Sequence, residues 1–367
     1  MGSQLSPTGL TAGRPAAFYR TAPGSIRTPR KAFVRRQRDR TVQIRRSIQA
    51  AFLLLNLWIG ARFYLFVTAI EASAPSVPVA RPAGVEGWLP IAALMNLKCL
   101  VLTGSVPAIH PAGVFLLIAF LLISLVFRKA FCSWLCPIGT LSEWLWRGGQ
   151  QIFGGTLRLP RWADIPLRSL KYLLMGFFLV AVLGMSTSDI RAFLESPYGI
   201  VADVKMLNFF RALGTAAALV IGALLALSVA VKNPWCRYLC PDGALMGLVS
   251  ALGPTRIRRN ADACIDCAKC ARACPSLLPV DILQSVRSIE CTGCLDCVAA
   301  CPAKGALDLS FAQRRAVPGV AVAIGIAVLF VGLVAGAKLT GHWQTNLPLD
   351  VYRDLVPRAS SFTHPGM

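Results

Sequence analysis

A chain of 367 residues that is 55 % hydrophobic, with mean hydropathy +0.58, is too apolar for an ordinary soluble domain and long enough for several structural units. Its formal net charge of +21 is unevenly spread: between Met1 and Ser47 stand 11 Arg or Lys and one acid, Asp39. A run such as VRRQRDR can meet nucleic acid or anionic lipid, but beside an apolar helix it reads as a topogenic flank, and no nucleic-acid partner is expected.

Residues 1–47 are thus expected to form a basic cytoplasmic tail; the first apolar run starts too late and runs too long for a cleavable signal segment. Five spanning helices are predicted, over Ile48–Ile70, Ala112–Phe127, Leu170–Met185, Ala212–Val231 and Val317–Gly336. Arg62 falls inside the first, where a charge is costly and needs a partner, a cavity or a path to the interface. Lys98, Cys99 and His110, ahead of the second helix, read as an interfacial loop or, alternatively, as donors to a quinone ring oxygen. Trp88, Trp134, Trp144, Trp146, Trp162 and Trp235 read as interfacial belts. Basic residues crowd the tail, Arg128–Lys171 and Lys232–Arg315, whereas Glu71–His110 and Thr187–Arg211 hold few. The positive-inside bias then puts the N-terminus in the cytoplasm and the tail after Lys338 outside.

An internal repeat follows the second and fourth helices. FCSWLCPIGTL (Phe131–Leu141) and WCRYLCPDGAL (Trp235–Leu245) share Cys, Leu, Cys, Pro, Gly and Leu in register. If these turns are helical, each four-residue spacing puts two thiols on one face: Cys132 with Cys136, and Cys236 with Cys240. Together the four can ligate a third cluster; alternatively they form two redox dithiols or lie inert at helix ends. Each helix is also preceded by a short apolar segment, WLPIAALMNLKCL or YGIVADVKMLNFF, which suggests two duplicated halves with segments that dip into the bilayer.

The densest pattern lies between the last two helices. CIDCAKCARACP and CTGCLDCVAACP both match C-x2-C-x2-C-x3-C-P, the run that wraps cubane clusters in two-cluster ferredoxins. Three cysteines hold one cluster and the fourth reaches across to the other. Cys264, Cys267, Cys270 and Cys301 are therefore expected on one [4Fe–4S] cluster, and Cys291, Cys294, Cys297 and Cys274 on the second. A zinc site usually shows paired CxxC or Cys/His spacing instead. Reduced thiolates are needed for ligation, which again points to the cytoplasmic side. The expected fold is a mainly α-helical polytopic membrane protein with a small α+β two-cluster ferredoxin-like unit before the last helix. Its divisions are 1–47, 48–252, 253–315 and 316–367.

Two CxxxCP repeats at the inner ends of membrane helices, followed by a double ferredoxin motif, resemble the polyferredoxin membrane proteins of the NapH, NosR and MauN group, NapH-like members above all. The likeness covers Ile48–Leu309. It implies a bacterial inner-membrane protein that passes electrons from quinol or a cytoplasmic donor toward a periplasmic redox enzyme or its electron-transfer subunit. An assembly factor supplying reducing equivalents to a periplasmic metalloenzyme, or a membrane redox sensor, would need the same clusters.

Overall fold

The computed structural model describes residues 34–36, 39–74, 76–77, 79–312 and 315–364; most of the basic tail, and Gln313 in the ferredoxin unit, lie outside the described residues. Helix α1 (Thr41–Glu71) starts seven residues before the expected Ile48, just after Asp39, whose carboxylate accepts the Thr41 N–H at 2.9 Å. There follow α2 (Pro90–Thr103) and, after a loop, α3 (Pro111–Val126). Next come α4 (Ala130–Trp134), α5 (Pro137–Phe153), α6 (Arg161–Gly184) and the short helices α7 (Thr187–Glu195), α8 (Pro197–Ile200) and α9 (Ala202–Arg211). Helix α10 (Thr215–Ala230) leads through a π-helical turn, Trp235–Leu239, into α11 (Pro241–Leu252).

Among the described residues, α1, α6 and α14 (Gly319–Leu339) are long and apolar enough to cross a membrane. Helices α9 and α10 would make a fourth span only as one broken unit, bent by 81°. The expected second span is the shortfall. Its 16 residues run between Pro111 and Phe127 and cover about 24 Å, less than a hydrocarbon core of about 30 Å. Buried along most of its length, α3 is a central packing helix that meets α2, α11 and α14.

The ferredoxin unit is a four-stranded antiparallel sheet in the order β2–β1–β3–β4, with two one-turn helices beside it. Strands β1 (Thr255–Arg259), β2 (Ser285–Val286), β3 (Leu307–Phe311) and β4 (Arg315–Val317) turn Ile257, Val286, Leu307 and Leu309 inward. Helices α12 (Lys269–Ala273) and α13 (Asp296–Ala300) carry the third cysteine of each run. This unit is no detached appendage. Its core is continuous with Ile123 of α3, Trp134 of α4 and Val322 and Ile326 of α14. Two glycines permit the approach: a Cβ on Gly253 would lie 1.8 Å from the Leu125 carbonyl oxygen, and one on Gly293 (φ 61°) 2.5 Å from that of Phe127.

A second core forms at the opposite end of the membrane helices, from Phe63, Phe66 and Ile70 of α1 with Ile190, Leu194 and Val204. The tail folds back onto it through α15 (Leu349–Leu355), whose Tyr352 meets the Phe66 ring edge-on at 5.7 Å. A buried charge cluster ties the loops there. Arg81 reaches Glu86 at 2.8 Å and Asp203 at 2.7 Å, and Glu86 accepts the Gly113 N–H at 3.1 Å.

Candidate functional site

Each CxxxCP segment is one helical turn ended by a proline. Cys132 lies in α4 and Cys236 in the π-helical turn, while Cys136 and Cys240 are extended residues capping α5 and α11, whose first residues are Pro137 and Pro241. Gly139 lets the turn close, since a Cβ there would stand 2.3 Å from the Cys132 carbonyl oxygen. The two turns bring all four thiols to the wall of one cavity of ≈ 1170 Å³. Burial pushes Cys240 up to about 12, with nearby Asp242 adding to it; it also raises Cys236, whose thiol feels Cys240, Cys136 and Cys132. Of the flanking cations, Lys129 acts on these thiols. Arg128 is committed to the carbonyls of Ser250 and Ser288, and Arg237 to Asp164 at 2.8 Å.

The eight ferredoxin-run cysteines gather into two sets. The thiols of Cys264, Cys267, Cys270 and Cys301 interact with one another, as do those of Cys274, Cys291, Cys294 and Cys297. The first set is half-exposed apart from Cys270, whereas the second is entirely buried. Desolvation raises Cys270 and Cys274 to about 11 each, so proton loss there calls for a strong positive centre such as iron.

The backbone fits such a group. Asp266 and Ala268 flank Cys267 with φ near 53°, and Gly293 (61°) and Leu295 (62°) flank Cys294 in the same register. A left-handed leucine is strained by about 1 kcal/mol or more. Its recurrence at the matching place in both runs is what winding a chain around a cluster requires. The Leu278 N–H points to the Cys274 sulfur at 3.5 Å, and the Gly243 N–H to that of Cys240 at 3.3 Å. Among the described residues, no three His, Cys, Asp or Glu side chains gather closely enough to hold a single metal ion.

The second ferredoxin run is seated on the first CxxxCP turn. Trp134 Nε1 donates to the Gly293 carbonyl at 3.1 Å, and the Ser133 hydroxyl to that of Thr292 at 2.7 Å. Trp134 is therefore a buried docking residue, not part of an interfacial belt. Two charge clusters, which sequence reading missed, clamp the same run. Arg45 of α1, fully buried, holds Glu143 of α5 at 2.6 Å and Asp296 at 3.0 Å, and Arg147 holds Asp296 at 2.8 Å. Lys171 meets Glu290 at 2.6 Å and Lys129 meets it at 3.5 Å. Burial would raise Glu143 and Glu290, but their cationic neighbours hold each down to about 2. Arg45 and Lys171 had counted only as topogenic charge. The available signal was positional: Glu290 directly before the second cysteine run and Asp296 directly before its third cysteine, where the first run has Ala263 and Lys269.

The membrane cavity extends from the thiols past apolar side chains of α1, α3, α6 and α14 to the loop at Arg81 and Glu86, at the opposite end of these helices. Arg62 lines it, with its guanidinium 5.1 Å from the Trp58 ring. Lys98, Cys99 and His110 do not line it. Lys98 caps the end of α6 by donating to the Leu183 carbonyl at 2.9 Å, Cys99 is buried, and His110 Nε2 lies 2.9 Å from the Gly199 oxygen. Lys98 thus spends its ammonium on backbone, and His110 is held between the Gly199 oxygen and, through Nδ1, Arg81 at 3.2 Å.

Comparison with known proteins finds iron–sulfur domain models over the same segments. A 4Fe-4S binding domain model matches residues 109–160 and 213–260, one CxxxCP turn in each, and a 4Fe-4S dicluster domain model matches 256–311. YccM of Escherichia coli (strain K12), which carries a provisional electron-transport name, is 47 % identical over 326 residues, covering 87 % of this chain and 91 % of that one. The methylamine utilization ferredoxin-type protein MauN of Paracoccus denitrificans is 32 % identical over 46 % of this chain and 56 % of its own. The ferredoxin-type protein NapH of Escherichia coli is 27 % identical over 54 % and 66 % respectively, so the match spans less than two thirds of either of these two relatives. No solved structure matches the chain. By its two cysteine runs, its paired CxxxCP turns and its nearly full-length likeness to YccM, the chain belongs to the ferredoxin-type membrane electron-transport proteins of the NapH, NosR and MauN group.

Proposed function

We propose that this protein relays electrons across a bacterial inner membrane, between quinol or a cytoplasmic donor and a periplasmic redox enzyme or its electron-transfer subunit. The observation that carries the reading is the seating of the buried ferredoxin run on the CxxxCP turn, through Trp134 and Gly293. Clusters of the [4Fe–4S] type, when bound, take up and release single electrons. Cys264, Cys267, Cys270 and Cys301 would hold the outer one, and Cys291, Cys294, Cys297 and Cys274 the inner one. Cys132, Cys136, Cys236 and Cys240 would hold a third at the end of the membrane cavity. The chain's own residues set the order: a half-exposed set, a buried set beneath it, then four thiols facing an apolar cavity that suits a quinone. The paired turns favour a membrane unit of two related halves, 48–252, followed by the ferredoxin unit, 253–315, and a last helix with its tail, 316–367.

In a strain lacking this chain, the dependent periplasmic enzyme is expected to keep its metal content while losing turnover driven by the quinol pool. Turnover driven by an artificial donor should persist. Loss of the cofactor itself, measured on the purified enzyme, would instead make the chain an assembly factor. For orientation, a reporter fused after Phe311 is expected to read cytoplasmic and one after His364 periplasmic, since α14 lies between them. Cytoplasmic readings at both would remove α14 as a span.

A further inference from the structure

A second cavity, of ≈ 880 Å³, opens where the start of α1, helix α5 and the ferredoxin unit meet. Its wall includes Cys301, from the half-exposed thiol set. Five cations line it, Arg35, Arg36, Arg147, Lys232 and Arg272, against two carboxylates, Asp39 and Asp296. Both carboxylates are already engaged, Asp296 by Arg45 and Arg147 and Asp39 by Thr41 and Arg36, and Arg36 also meets Asp308 at 3.1 Å, so Arg36 and Arg147 are the paired cations of the five. Among the described residues, no acid lies within ion-pair distance of Arg35, Lys232 or Arg272. Lys232 is 3 % exposed and rests its ammonium over the Trp146 ring at 4.9 Å. A cleft that gathers uncompensated cations beside a redox ligand is built to attract an anion to that ligand.

We infer that this cleft is the docking site of an acidic, soluble, one-electron carrier protein, an inference that rests on the proposed cluster at Cys264, Cys267, Cys270 and Cys301. The chemistry selects a carrier protein over a nicotinamide nucleotide. A [4Fe–4S] centre exchanges one electron at a time, whereas a nicotinamide delivers a hydride, with two. The exchange breaks no bond and moves no proton: one partner loses one electron and the other gains it. Gln43 of α1 and Gln150 of α5 lie on the cleft wall and make no hydrogen bond to the cysteine runs, so charge can be added there without touching them.

The test uses the full-length, iron-loaded chain in nanodiscs of zwitterionic lipid, with a strongly acidic flavodoxin as probe. Binding is expected to weaken about tenfold in the Gln43→Glu, Gln150→Glu double variant, and in the unaltered chain to fall as salt rises from about 50 to about 300 mM. Iron content and photoreduction by a small deazaflavin should be the same in both. Equal, salt-independent flavodoxin binding with intact iron overturns the docking site and leaves the electron-transfer reading standing. Binding that needs anionic lipid in the nanodisc assigns the cleft to headgroups and overturns it too. A chain with no iron at the ferredoxin-run cysteines overturns the underlying reading as well.

Discussion

Replacing Cys136 and Cys240 together by alanine is expected to lower the iron content of the anaerobically purified protein from about 12 to about 8 per chain, leaving the ferredoxin-type signals in place. The four CxxxCP thiols share one cavity wall, come from two turns of matching construction, and are close enough to oppose one another's ionisation. That is the donor count a cubane requires. Helix ends alone would repel an anionic four-thiolate centre, but Lys129, buried at 3 % exposure, acts on these thiols. The crossed sets can be read in the same preparations. Cys301→Ala and Cys267→Ala should abolish the same electron paramagnetic resonance signal, and Cys274→Ala the other. An unaltered count of about 8 in the Cys136, Cys240 variant would leave two dithiols in front. Different signals lost on replacing Cys301 and Cys267 would break the crossed assignment.

The 4Fe-4S character of the chain was legible because the C-x2-C-x2-C-x3-C-P spacing is the one that winds a chain around a cluster, and domain models of that kind match the same segments. Joint ligation by the two CxxxCP pairs was the first of three readings and could not be narrowed further in sequence, since it depends on two segments about a hundred residues apart meeting in space. Helix positions followed from apolar runs, but span number did not. The α3 run reads like a lipid-facing helix although it is short and buried among α2, α11 and α14. Hydropathy reports apolarity and is blind to whether the neighbour is lipid or protein. Charge was only partly legible for a similar reason. Positive-inside bias accounts for Arg45, Arg128 and Lys171 by count, yet each is fully buried and spends its charge on a carboxylate or carbonyls. A basic residue at a helix end looks the same in sequence whether it meets water, lipid or a buried acid.

Arg45→Met is expected to destabilise the seating of the ferredoxin unit by about 3–5 kcal/mol, the usual cost of leaving buried charge unpaired. Arg45 is fully buried and makes contacts that Arg147 and Gln49 cannot all replace. Its Nη1 donates to Glu143 at 2.6 Å and to the Ser133 carbonyl at 3.1 Å, and its Nη2 to Glu143 at 2.7 Å and to Asp296 at 3.0 Å. One side chain thereby ties α1, α4, α5 and the second cysteine run. After its loss, Asp296 keeps Arg147 at 2.8 Å and Glu143 keeps Gln49 and Arg147, but two carboxylates share a single guanidinium. Arg45→Lys preserves the charge and loses the fork, so about half of the loss should remain. Arg45→Met combined with Glu143→Gln should recover part of it, because the two residues act as one unit. The readout is the denaturant midpoint for bleaching of cluster absorbance, with protease sensitivity between Gly253 and Phe311 followed in parallel. Destabilisation by Arg45→Met below about 1 kcal/mol would mean that apolar contacts through Trp134, Ile123 and Val322 seat the unit without the ion pair.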